Sequence, residues 1–132
     1  MRFHVKNIFV DGKEIWTFEE VQLRNVRMTA TLLVRIVIAK IEDENRLQSI
    51  LRSVPVVQKD PAWRCRTWLA NAPDAIAKDG KAVGTAQLDW KEIEVSARKY
   101  VADKKSAGRY DAGQSMRWAP TLDLTEGKEI VA

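Results

Sequence analysis

Asp60-Pro61-Ala62-Trp63-Arg64-Cys65-Arg66-Thr67-Trp68-Leu69 holds the only cysteine of the chain. The stretch reads as the opening of a helix, with Asp60 as N-cap and Pro61 at the first helical position. The spacing predicts a helix from Pro61 to about Lys78 with Cys65, Trp68, Leu69, Ala72 and Ile76 on one face. Pro73 falls inside it and predicts a kink or break near Asn71. Asp79-Gly80 closes it. Cys65 then sits near a helix N-terminus, where the backbone dipole favours a thiolate. The neighbouring Arg64 and Arg66 act in the same direction. A second reading is a small buried apolar residue beside Trp68 and Leu69, as free cysteines often are.

Working outward, the residues before this helix are largely extended. Arg2–Val10 is rich in β-branched and aromatic types, and Asp11-Gly12 is a strong hairpin signal. A second strand, about Glu14 to Leu23, returns through Ile15, Trp16 and Phe18. A third apolar run, about Ala30 to Ile41, suits a central strand covered on both faces, although its pattern also admits a buried helix. From Asp43 the period changes. Leu47, Ile50, Leu51 and Val54 mark a short amphipathic helix that Pro55 ends.

After the Cys65 helix, Val83–Leu88 is a short extended link. Asp89-Trp90-Lys91-Glu92 opens a long third helix to about Ala107, with Gly108 as C-cap. Residues 111–132 have weak periodicity and are expected to form an irregular tail, docked through Met116, Trp118, Leu122 and Leu124 or disordered. The expected class is α+β in one domain over residues 1–110: N-terminal antiparallel strands followed by three helices.

The composition narrows the function. The chain has 132 residues, 45% hydrophobic and 30% charged, enough for one domain with a core. Its net charge is +4, but the bases are scattered among acids, which argues against nucleic acid as partner. No stretch is apolar enough for a membrane span. The start, Met-Arg-Phe-His-Val-Lys, is unlike a secretory signal, and a lone cysteine cannot close an internal disulfide. An intracellular, cytoplasmic setting is expected. One Cys and one His exclude zinc-type spacings. Gly80 and Gly84 do not fit a phosphate loop, and no cofactor is expected.

The only histidine is His4, in the first strand. One thiol, one imidazole and one helix start are the minimum parts of a cysteine nucleophile with its base. Asn7, Glu14 and Glu19 are candidate third members, and their spacing does not choose among them. Trp63 and Trp68 are candidate pocket walls, or core. Arg64 is a candidate contact for an acidic substrate group, or a solvated charge.

A β region carrying a His, followed by a helix opening with Cys, resembles the circularly permuted papain-like fold of the lecithin retinol acyltransferase-like thiol enzymes. More closely, Arg2–Asn7, Leu32–Ile41, Val54–Leu69 and Gly84–Tyr110 resemble a group of uncharacterised fungal proteins. The thiol-enzyme resemblance implies Cys65 as nucleophile and His4 as its base, with a small-molecule or acyl substrate. The Cys65 N–H and the Gln58 amide would hold the oxyanion. Two departures stand out. Those enzymes carry an earlier histidine, beside an aromatic, that has no counterpart here, and Arg64 stands where an asparagine is usual. Three functions follow: a cysteine hydrolase or acyl/thiol transferase; a non-catalytic papain-like binding protein; or an accessory enzyme of fungal secondary metabolism using acid–base chemistry. In the second, an exposed edge strand would pair two copies into a homodimer.

Overall fold

A computed structural model describes residues 1–24, 31–112 and 118–132. The class is α+β, with N-terminal antiparallel strands and three helices. The chain divides into two compact units, Met1–Arg24 with Ile41–Gly84, and Asn25–Lys40 with Thr85–Ala132.

The first unit opens with strands β1 (Arg2–Val10) and β2 (Lys13–Val21), an antiparallel ribbon in unbroken register from Arg2 opposite Val21 to Val10 opposite Lys13. Asp11 (φ 50°) and Gly12 (φ 74°) are both left-handed, the backbone that a two-residue turn needs to match the strand twist. Helix α1 (Glu44–Ser53) starts where expected, because the Asp43 carboxylate accepts the Arg46 N–H at 3.0 Å.

Helix α2 (Cys65–Asp79) starts four residues later than the sequence suggested. Asp60 is spent on a separate turn: its Oδ1 accepts the Ala62 N–H at 2.9 Å, and its carbonyl accepts that of Trp63 at 3.1 Å. That turn tucks Trp63 into the core. The helix runs through Pro73 without a break and ends at left-handed Gly80. Pro73 withholds an N–H from the Leu69 carbonyl, and its ring is buried on the inner face.

The core of this unit lies between the ribbon and α2. Val5, Val54, Trp63, Trp68 and Ala72 are buried, with Phe3, Trp16 and Phe18 against them. Phe18 meets Trp68 at 5.8 Å between ring centroids, and Trp16 meets Trp63 edge-on at 5.7 Å. Ion pairs fasten the rim: Arg52 to Glu20 at 3.0 Å and Arg46 to Asp79 at 2.7 Å.

The expected long strand over 30–41 is two short ones, β3 (Arg35–Val37) and β4 (Ala39–Ile41). Ile38 separates them, and its carbonyl accepts the Gln87 N–H at 2.7 Å. The two strands serve different sheets, so the run cannot remain one ladder. β4 pairs with β5 (Val83–Ala86), and Ala30 lies outside the described residues.

In the second unit, residues 121–131, expected to be irregular, form β6 (Thr121–Asp123) and β7 (Lys128–Val131). β6 pairs in parallel with β3, Arg35 opposite Thr121, and antiparallel with β7. Weak periodicity hid them because β6 is only three residues long and lies mid-sheet. Asp123 shapes the β6–β7 turn by accepting the Thr125 N–H at 2.8 Å and its hydroxyl at 2.6 Å. Met116, one of the expected docking residues, lies outside the described residues. Helix α3 (Trp90–Ser106) begins at its Asp89 cap as expected. Its buried Tyr100 donates to Glu129 of β7 at 2.5 Å, and Lys104 reaches the same carboxylate at 2.6 Å. Burial and then the Glu129 contact push the Tyr100 phenol well above its ordinary range.

Trp68 Nε1 is buried with no hydrogen-bond partner among the described residues. Trp68→Ala should therefore cost about 3–5 kcal/mol in urea unfolding. Trp68→Phe, which keeps an aromatic ring, leaves a smaller cavity and breaks no hydrogen bond of the indole N–H, should cost less.

Candidate functional site

Cys65 is the first helical residue of α2, and its side chain is exposed. It is not the buried apolar residue of the second sequence reading. Arg64 precedes it in extended conformation (φ −144°), and its N–H is accepted by Thr67 Oγ1 at 3.1 Å. The Arg64 carbonyl accepts the Thr67 N–H at 2.9 Å, closing the first turn. Trp68, Ala72 and Ile76 form the buried stripe, so the core is served one turn further along, and Cys65 stays at the rim. Arg64 and Arg66 flank it, both exposed. A thiol here sits at the positive end of the helix, between two arginines in sequence, and its own N–H belongs to the unpaired first turn.

His4 is placed by strand alternation. Phe3 and Val5 turn toward the core, so His4 belongs to the opposite face of β1. Its cross-strand neighbour is Glu19, and His4 Nε2 lies 2.7 Å from Glu19 Oε2. Lys6 Nζ reaches the same oxygen at 3.0 Å. The His4 contact, followed by that of Lys6, holds the Glu19 carboxyl below its ordinary range. Helix α2, with Cys65, packs on the Val5–Phe18 face. The helix that carries Cys65 and the ring of His4 therefore belong to opposite faces of the ribbon. Of the candidate third members, Glu19 does pair with His4, while Asn7 donates to Glu14 at 2.9 Å.

Gln58 has a role that its spacing from Cys65 did not suggest. Its Oε1 accepts the Trp16 N–H at 2.9 Å, and its Nε2 donates to the Trp16 carbonyl at 2.6 Å. One carboxamide thus takes both backbone groups of one strand residue, as a neighbouring strand would. These groups point away from β1, because Gln58 comes from the connector after α1. The amide expected to hold an oxyanion is engaged at the edge of β2. Trp63 and Trp68, the candidate pocket walls, are 6% and 3% exposed and belong to the core.

A shallow cleft beside α1, not indicated by the sequence, is lined by Asp43, Arg46, Ser49 and Asp79 among others. Its charges serve the fold. Asp43 caps α1, and Asp79 accepts Arg46 together with the Lys81 and Ala82 N–H groups, both at 3.0 Å. Among the described residues no group of three or more His, Cys, Asp and Glu could hold a metal ion. No helix among them is long and apolar enough to cross a membrane.

Residues 1–131 match the model of a family described as "Family of unknown function (DUF6914)". No curated protein and no solved structure matches the chain.

The lowered Glu19 carboxyl has a consequence for stability. A depressed folded value contributes stability that is complete above the ordinary value, 4.5, and is lost as pH falls through the folded one. Glu19→Gln should be less stable than wild type near neutral pH. The gap in thermal midpoint should close in acid, below that ordinary value.

Proposed function

Since the chain belongs to the DUF6914 family, which brings no activity with it, we propose from its own geometry that it works as a binding domain of the permuted papain-like type. In this reading Cys65 occupies the nucleophile position without a histidine to serve it. The observation that carries the reading is the placement of His4. Its ring is on the far face of the β1–β2 ribbon, held by Glu19 at 2.7 Å, while Cys65 belongs to the helix on the near face. A general base must come within about 3 Å of the proton it takes, directly or through one water. A ring across the ribbon does not meet that condition. Gln58, the candidate oxyanion donor, is likewise engaged with Trp16. The surface around Cys65, with Arg64 and Arg66, suits a ligand or partner carrying negative charge.

A second reading, the cysteine hydrolase or acyl/thiol transferase, has one specific observation in its favour. The thiol is exposed at the first residue of a fifteen-residue helix, where a reacting carbonyl could approach it and its N–H. Catalysis in this reading needs a proton acceptor other than His4.

One measurement tests the placement of His4 on which the binding reading rests. Iodoacetamide labelling of native protein, followed across pH, reports the proton acceptor of Cys65. Under the binding reading, His4→Ala reproduces the wild-type rate–pH profile to within about twofold. A neutral-pH inflection that His4→Ala removes would restore the His4–Cys65 pair and overturn the proposal.

A further inference from the structure

The bond between Gln58 and Trp16 orients the whole ribbon. The Trp16 N–H and carbonyl point away from β1, so its partner Asn7 forms a pair that exchanges no ladder bonds with it. The Asn7 backbone groups therefore point outward on the far edge of β1. By alternation, those of Phe3, Val5 and Phe9 do too. No backbone partner for these four occurs outside the ribbon among the described residues. The two edges differ: β2 is closed at Trp16 by Gln58, and β1 is open. The open edge also ends in exposed apolar residues, Ile8 at 36%, Phe9 at 71% and Val10 at 45%. Such a cluster beside unpaired strand groups is what a pairing surface presents.

We infer that two copies of this chain pair along β1, antiparallel, about a two-fold axis through Asn7. The sequence of β1 selects this register. Asn7 lies opposite Asn7, Lys6 opposite Ile8, and Val5 opposite Phe9. Each copy's Asp11-Gly12 turn comes beside Phe3 and Arg2 of the other, so a carboxylate approaches a guanidinium at both ends. Sliding two residues one way sets Lys6 against Lys6 in a close pair, which is repulsive. Sliding the other way shortens the ladder and separates Arg2 from Asp11. Because Gln58 occupies both backbone groups of Trp16 in the middle of the outer edge of β2, a continuous ladder cannot form there and the sheet β2–β1–β1–β2 stops at four strands. The contact is isologous, and assembly stops at two copies. This inference concerns a different face from the Cys65 surface and stands independently of its role.

Sedimentation equilibrium on the full chain, across a concentration series, tests it. Wild type should be a dimer that dissociates on dilution. Asn7→Pro deletes the outward N–H of both copies and none of the β1–β2 ladder bonds, and should weaken the dimer at least about tenfold. Unchanged far-ultraviolet circular dichroism would show that the ribbon still folds. Gln58→Ala, which frees the second edge, should give species larger than the dimer. The register has its own readout. In a Cys65→Ser background, Asn7→Cys should be bridged into a covalent dimer by a short bis-maleimide, and Phe9→Cys, off the axis, far less. A wild-type chain that stays monomeric at every concentration overturns the inference. So does a dimer that Asn7→Pro leaves intact.

Discussion

The contact between Phe18 of β2 and Trp68 of α2 is what the rest of the first unit depends on. A two-stranded ribbon alone is marginal in water and needs an apolar layer on one face. Trp68 supplies it, one turn inside α2, with Ala72 continuing the stripe and Trp63 closing the end against Trp16. Once this face is buried, strand alternation decides every other side chain of the ribbon. Phe3 and Val5 go inward, and His4, Lys6 and Glu19 go outward. The position of the histidine is thus a by-product of core packing. The same packing fixes the start of α2, because the Asp60 turn that places Trp63 uses up the residue that would have capped a longer helix.

Several local features were legible in the sequence. The Asp11-Gly12 hairpin, the change of period at Asp43, the Asp89 cap and the Gly80 stop each rest on local chemistry, and each stands where its residues indicated. What could not be read depended on distant partners. Asp60-Pro61 has the form of a helix start, yet Asp60 satisfies a turn. The run over 30–41 has the apolar content of one strand, yet its halves join different sheets. β6 is three residues long, and its place between β7 and β3, the latter eighty-six positions away, makes it a strand. The faces on which His4 and the Cys65 helix stand escaped the sequence for the same kind of reason. Order along the chain and residue type are compatible with a Cys–His pair, but the face of a strand on which a side chain emerges depends on register and on what lies beneath.

Gln58 shows how a polar residue can do structural work that resembles a catalytic part. A primary amide carries a donor and an acceptor in the same orientation as a peptide group, so it can stand in for one residue of an absent strand. In the sequence it looked like an oxyanion donor because of its distance before Cys65. In the structure it is engaged with the backbone of Trp16, forty-two residues earlier. A side chain used this way protects an edge while leaving the ladder regular, which a bulge or a proline would not.

The parallel pairing of β3 with β6 carries a consequence for the order in which the chain can form. The first unit has all its elements once Gly84 has left the ribosome, and its contacts close over short to moderate spans. The second cannot behave so. β3 emerges early but waits for Thr121–Asp123, near the C-terminus, before its own ladder can form. Until then Arg35–Val37 is an unpaired strand, the kind of segment that a nascent chain must keep from aggregating. A truncation of the last dozen or so residues would leave the ribbon and α2 able to fold and would deprive β3 of its ladder, so the final residues control the folding of a segment made long before them.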